Sequence, residues 1–379
     1  MTAHPGRLRM ALLGCGDVAQ RDYLPELTRL RDRVNLVAVC GRTEERTRSV
    51  AAQYDVPSWY TDYERMLAEI DCDVVVNLTP IQEHYRTTMA ALKHGMHVYT
   101  EKPIATSSAE ALTLLNHAQQ AGLVLVSAPS VLLFPQVRIA HQLLAEGAIG
   151  PVYSVRGSGF GGVPPWHGFP SDPSQYFIRG GGPAMDMGVY PLHAITGLLG
   201  PVRRVVAMTA RAQDGFVVPD GPARGTDVPI EVDDNWHLLL NLGTSRLASV
   251  STNNVVQGSH APQLELCGLQ GTIELNLLDV AAPVEVLRPH GEWETIRPPG
   301  TGRAAGPDHL LGVEHLIDCI TTGREPLPSA EHALHVVEVI EAAARSSTTG
   351  HAVDVRSSFV ARWDGEKSTD ASMWSDDRG

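Results

Sequence analysis

The sequence predicts a doubly wound α/β domain followed by an α+β domain built on a large, mostly antiparallel open sheet. Three observations carry this expectation. Between residues 8 and 127, apolar runs alternate with helix-period segments, the pattern that gives right-handed crossovers and a parallel sheet. From Val202 onward strand patterns dominate, with one-sided alternation in Trp236, Leu238, Leu240 and Leu242. The chain has 379 residues, enough for two cores. The boundaries read as 1–128 for the first domain, 129–361 for the second, and a flexible polar tail over 362–379.

Leu8–Leu13 is almost wholly apolar, as in a strand buried on both faces, and it runs into Gly14-Cys15-Gly16-Asp17-Val18-Ala19. A helix pattern follows over 18–30, interrupted by Pro25. Strand patterns then recur at Val34–Cys40, Ser58–Tyr60, Asp73–Leu78, His97–Thr100 and Leu123–Ser127. They alternate with helix patterns at Glu44–Tyr54, Asp62–Glu69, Glu83–His94 and Ser107–Ala121. A G-x-G-x-x-A turn between strand and helix lets backbone N–H groups approach a pyrophosphate, which makes the first domain a Rossmann dinucleotide-binding candidate. An ordinary strand-to-helix turn is the competing reading of that loop.

The second domain opens with a helix pattern over Gln136–Glu146 and a strand over Val152–Ser158. Gly159–Pro183 is rich in Gly, Pro and aromatic residues, and a long irregular segment of this kind tends to be functional. Strands are expected at Val202–Arg211, Val232–Leu242, Ser245–Asn253, Gln263–Leu266, Thr272–Asn276 and Val284–Arg288. Helices follow at His309–Thr322 and Glu331–Thr348. An open sheet leaves a face that needs cover, and self-association is the simplest cover.

Composition narrows the function. A formal charge of −13 without a basic stripe argues against nucleic acid. Five scattered cysteines without C-x-x-C spacing, and sixteen histidines without an H-x-x-x-H pattern, predict reduced thiols and no metal site. No signal peptide or membrane-spanning run is visible, so a cytoplasmic protein is expected.

In a parallel sheet, ligands bind beyond the carboxyl ends of the strands. Thr79-Pro80, His84 and Glu101-Lys102-Pro103 fall at or just past such ends. With Gly14, Cys15, Gly16, Asp17 and Val18 they form the expected cofactor set. The second strand ends in Gly41-Arg42-Thr43 where an NAD site usually places an acid. Arg42 and Thr43 are therefore read as holding a 2′-phosphate, favouring NADP(H), although an arginine stacked on adenine would be compatible with NAD(H). Gly180-Gly181-Gly182 precede Asp186, Tyr190 and His193, whose i, i+4, i+7 spacing places acid, phenol and imidazole on one face of a helix. An N-cap, a core aromatic and a structural histidine would explain the same three residues. Trp166, His167 and Tyr176 of the irregular segment are candidate substrate contacts. Asp233-Asp234-Asn235 reads equally as a site element or as turn chemistry.

Taken together, the Gly14 loop, Thr79-Pro80…His84, Glu101-Lys102-Pro103 and the stretch from Gly180 to His193 resemble the Gfo/Idh/MocA family of oxidoreductases, from about Leu8 to Val355. The resemblance implies hydride transfer to or from a carbon of a sugar, cyclitol or related polyol, with NAD(P) as cofactor and a second domain that builds a homodimer or homotetramer. It implies that Lys102 contacts substrate and assists proton transfer, and that Asp186 orients a hydroxyl. It assigns acid/base work to Tyr190, where many members carry histidine, with His193 a secondary candidate. Relatives that are NAD-dependent glycosidases, non-catalytic dinucleotide-sensing regulators or reductases of unsaturated substrates mark the alternatives.

Overall fold

The computed structural model describes residues 6–243, 245–299 and 306–363. Strand β1 (Leu8–Leu13) occupies the middle of a six-stranded parallel sheet with β2 (Val34–Cys40), β3 (Ser58–Tyr60), β4 (Val74–Asn77), β5 (His97–Thr100) and β6 (Leu125–Ser127). The order is β3-β2-β1-β4-β5-β6, so the chain reverses direction beside β1. That switch point opens a crevice at the carboxyl ends of β1 and β4. Helices α1 (Glu44–Gln53), α2 (Tyr63–Glu69), α3 (His84–Lys93) and α4 (Ser108–Ala121) make the crossovers. Local chemistry sets their ends: the Asp62 side chain caps the first amides of α2, and Gly122 (φ +66°) closes α4 in the left-handed conformation. The helix expected over 18–30 is instead a π-type turn (Ala19–Tyr23) followed by 3₁₀ turns (Leu24–Leu30). Pro25 is the reason, since it lacks the N–H that would bond one turn back.

The second domain carries a nine-stranded sheet. Helix α5 (Pro135–Ala145) leads to β7 (Val152–Phe160), and α6 (Val189–Leu199) follows the irregular segment. Next come β8 (Arg204–Ala210), the small ribbon β9 (Gly215–Val217) and β10 (Asp227–Pro229), then β11 (Asn235–Asn241) and β12 (Leu247–Asn253). The sheet continues with β13 (Leu264–Gly268), β14 (Gly271–Leu275), β15 (Val284–Leu287) and β16 (Trp293–Ile296), and β17 (Val353–Asp354) pairs with β8. The sheet order is β16-β15-β14-β13-β7-β12-β11-β8-β17, antiparallel except where β7 meets β12. One face packs against α6 and α8 (Ala330–Thr349). The other is open and holds Tyr153, Val206, Leu247, Leu239 at 63 % exposed and Met208 at 78 %.

Two features of the chain's last third depart from the expected domain division. Helix α7 (Leu310–Thr322), expected in the second domain, buries Leu310, Val313, Leu316 and Ile317 against Met10, Leu12, Tyr99 and Val126 of the first. Trp363 is buried within the second core: it donates from Nε1 to the Gly197 carbonyl (3.2 Å) and stacks on His141. Ordered chain thus continues into the segment expected to be tail, and residues 364–379 of that tail lie outside the described residues.

Candidate active site

A cleft of about 480 Å³ runs along the carboxyl ends of the parallel strands. At the end of β1, Gly14 has φ +100°, and a Cβ there would lie 2.3 Å from the Leu78 carbonyl oxygen, so only glycine lets β1 and β4 meet this way. Gly16 has open space above it, the condition for a phosphate to reach the backbone. Cys15 points inward instead. Its thiol donates to the Cys40 carbonyl, and burial pushes its pKa up to about 11, so it stays a packed thiol. Beyond β2, Arg42 and Thr43 line the cleft together with Arg46, a residue the sequence reading passed over although it lies one helical turn after Arg42. Beyond β4, Thr79 donates to Asn77 (2.7 Å), which itself donates to Thr87 (2.8 Å) and Thr88 (2.9 Å). His84 lies between the carbonyl oxygens of Thr79 (2.8 Å) and Pro103 (2.7 Å), tying together the loops after β4 and β5. Asp17, Val18, Pro80, Glu101 and Lys102 complete the expected set along the same cleft. Open backbone at Gly16 and the guanidinium groups of Arg42 and Arg46 fit a dinucleotide.

The far end of the cleft joins the domains. Lys102, just past β5, donates from Nζ to the Asp186 carboxylate in a close contact, and to the Asp186 carbonyl at 2.9 Å. Both side chains are only 14 % exposed. Burial works against the ammonium, but Asp186 and Glu101 outweigh it and hold the Lys102 pKa above its ordinary value. Burial likewise works against the Glu101 charge. His309, Lys102 and the Tyr23 hydroxyl, which donates to Glu101 at 2.6 Å, keep that carboxyl below its usual range.

Asp186 sits in a π-type turn (Ala184–Gly188) immediately before α6. The approach needs glycine: a Cβ on Gly181 would lie 2.5 Å from the Gln175 carbonyl, and Gly182 has φ +89°. Tyr190, in the first turn of α6, lies with its ring centroid 5.7 Å from Lys102 Nζ. Burial, then Glu101 and Asp186, push its phenol well above the ordinary value, so it holds its proton. His193 is not brought to this group. It is buried with its ring 4.6 Å from His332, and burial pushes its pKa down to about 3. The wide turn at 184–188 shifts Asp186 relative to Tyr190 and His193, both in the regular α6, so a uniform 3.6-residue spacing does not hold across the three.

The irregular segment and the β9–β10 ribbon form a cap with its own apolar core, in which Phe177, Val218, Val228 and Ile230 are buried and Trp166 and Phe216 pack against them. Tyr176 faces the cleft, as do Ser171, Gln175 and Ala223. Of the other expected substrate contacts, Trp166 packs inside the cap and donates to the Gly162 carbonyl (3.3 Å). His167 is exposed at 77 % and meets Asp220 (3.0 Å). Neither lines the cleft. Asp234 accepts the Ala212 and Gln213 amides (2.9 and 3.2 Å), which is turn chemistry. Among the described residues no cluster of three or more His, Cys, Asp or Glu could hold a metal, and no helix is long and apolar enough to cross a membrane.

Comparison with known proteins places this geometry. Residues 8–128 match the oxidoreductase family with an NAD-binding Rossmann fold, and residues 137–274 match the GFO/IDH/MocA C-terminal domain. D-glucoside 3-dehydrogenase of Escherichia coli (strain K12) is 31 % identical over 202 residues, which is 53 % of this chain and 56 % of the relative, so the match spans little more than half of that protein's length. D-xylose 1-dehydrogenase (NADP(+)) 2 of Haloferax volcanii is 25 % identical over 358 residues, 92 % of this chain and 100 % of the relative. Among solved structures, the apo form of levoglucosan dehydrogenase aligns with a TM-score of 0.82 at 20 % identity, covering 93 % of this chain and 99 % of that one; this likeness speaks to the fold. The chain belongs to the Gfo/Idh/MocA oxidoreductase family.

Proposed function

We propose that this family member transfers hydride between a nicotinamide dinucleotide, preferentially NADP(H), and one carbon of a sugar, cyclitol or related polyol. The observation that carries the reading is the buried Lys102–Asp186 pair, which closes the inner end of the dinucleotide cleft from both domains. The dinucleotide supplies or accepts the hydride when bound. Lys102 and Tyr190 handle the proton. Both pKa values are raised, so at neutral pH the ammonium and the phenol both carry protons to donate, which suits reduction of a carbonyl. Oxidation of an alcohol requires one of them to lose its proton first, so its rate rises with pH. Asp186 fixes the ammonium and accepts from a neighbouring hydroxyl. Tyr176 and the cap shield this end from water.

Arg42, Thr43 and Arg46 support the NADP(H) preference, because two guanidinium groups suit a 2′-phosphate and an acid at this position would repel it. The half-apolar open sheet face supports a homo-oligomer; a monomer across a concentration series in sedimentation would reject that part.

Titration with NADPH and NADH, followed by nicotinamide fluorescence, tests the cofactor assignment. Tighter NADPH binding is expected, with Arg42→Ala weakening NADPH about tenfold while changing NADH little. Equal loss for both dinucleotides would move Arg42 to the adenine. Screening keto-sugars with NADPH and polyols with NADP+ then tests the reaction.

A further inference from the structure

We propose that His309 passes protons between Asp22, in the turn that follows the phosphate loop, and Glu101 beside Lys102. This rests on the hydride-transfer reading above and adds to it a positioning residue supplied by the far end of the chain.

His309 stands immediately before α7, the helix that returns to the first domain. Its ring lies against Tyr23, with centroids 5.9 Å apart. Nδ1 is 3.9 Å from Glu101 Oε1, and Nε2 is 3.8 Å from Asp22 Oδ2. Each gap exceeds a direct hydrogen bond by roughly 1 Å, within reach of a small ring movement or one bridging water. One imidazole thus faces a carboxylate on each side.

The two carboxylates differ in what lies behind them. Asp22 holds Arg21 (2.8 Å), which is 57 % exposed and also reaches Asp17 (2.5 Å) on the phosphate loop. Glu101 accepts the Tyr23 hydroxyl on one oxygen and the Lys102 amide (3.0 Å) on the other. It is also the charge that acts most strongly on Tyr190, and the second strongest on Lys102. The other titratable groups packed here are Tyr99, 3.3 Å from Tyr23, and Asp308, held by Arg29 at 2.8 Å. Burial pushes the His309 pKa down while Glu101 and Asp22 oppose it. The neutral ring offers one N–H and one lone pair, so it can take a proton on one nitrogen as it releases one from the other.

Such a route serves the reaction alongside the cleft that Lys102 itself lines. In reduction, the carbonyl carbon takes a hydride and its oxygen takes a proton from Lys102 or Tyr190. The group that gave the proton must recover one, and each turnover consumes one proton from solvent. In oxidation the same proton leaves. Lys102 and Asp22 are both only 14 % exposed, and Glu101, His309 and Asp22 form a line from the neighbour of Lys102 to Arg21, which is 57 % exposed.

Two measurements on the full chain test this. The first needs no substrate: with histidine labelled at Cε1, the His309 resonance is identified by its loss in His309→Gln and titrated by NMR. Asp22→Asn and Glu101→Gln should each lower its pKa; no change in either variant overturns the geometry. The second follows turnover of a sugar identified by the screen above. His309→Gln should lower kcat about 10²-fold, with KM and dinucleotide affinity nearly unchanged and an altered pH profile. Added imidazole should restore rate to His309→Gly. A wild-type pH profile in His309→Gln, or a rate loss that imidazole leaves untouched, overturns the proposal. His309→Asn serves if His309→Gln melts early. Absence of turnover in the wild type would reject the hydride-transfer reading, while the NMR result would still decide whether the imidazole is coupled to both carboxylates.

Discussion

Tyr190 and His193 are three residues apart on α6, both buried, yet they belong to different chemical worlds. Around Tyr190, ionised groups are taken from water in compensated form: Lys102 with Asp186, and Glu101 with Tyr23. Around His193, three imidazoles are packed together, and Glu338, which acts on His335, does not offset the burial that lowers all three. His193 lies against His332, His332 donates to or accepts from Thr196 (2.7 Å), His335 accepts the Val202 amide (3.0 Å), and Phe359 stacks on His332 at 3.9 Å. Among the described residues, Nδ1 of His193 and of His332 have no hydrogen-bond partner. Burial with a counter-charge keeps a group ionised; burial without one drives it neutral. The same helix therefore holds a proton-handling site on one side and a pH-sensitive core on the other.

The largest effect that would break this contrast is on turnover. Lys102→Met should reduce kcat by roughly 10²–10⁴ while leaving dinucleotide binding largely intact, read by single-turnover kinetics and fluorescence titration. An unchanged kcat would remove the distinction between the two sides. The next effect belongs to the core and appears in acid. His193 and His335 have folded pKa values near 3 and 4, and His332 is also lowered, all below the unfolded value of about 6.5. Unfolding takes up protons between those limits. Stability is therefore fully present above about pH 6.5 and falls as pH drops toward 4, by about 1.4 kcal/mol per pH unit for each proton taken up. Denaturant midpoints measured from pH 7.5 to 4.5 should fall steadily, and a flat profile would contradict neutral burial.

A third test sharpens the boundary between the faces. His193→Gln should lower the melting temperature yet keep kcat within about threefold, because its side chain touches no reacting group. A loss comparable to Lys102→Met would return His193 to the site. Smallest of all, Phe359→Leu should cost about 1 kcal/mol through its lost stacking on His332, seen in denaturant unfolding with activity unaffected.

The parallel sheet was legible because apolar runs, glycine turns and helix periods agreed over residues 8–127. Open backbone at Gly16 and the strand-end position of Lys102 follow from that topology alone. The direction of His193 was not legible. Helical spacing assumes 3.6 residues per turn, and no residue type in Ala184–Gly188 announces a wider one. Trp166 and His167 carried the right composition for a sugar contact, but whether an aromatic faces a cleft or its own small core depends on the β9–β10 ribbon packing against it. His309 was hidden for a different reason. Its neighbours Asp22 and Glu101 lie more than two hundred residues earlier, and no local pattern links them.

The return of α7 to the first domain has a consequence for how the molecule is made. The face of the parallel sheet around Met10, Tyr99 and Val126 is covered by Leu310, Val313 and Ile317. A ribosome that has released residues 1–128 has produced every strand of that sheet but not the helix that seals it. The nascent domain keeps an apolar flank exposed through synthesis of strands β7 to β16, and only the emergence of Ile317 allows it to close. The sheet that carries the Gly14 loop is thus sealed only when the C-terminal third arrives.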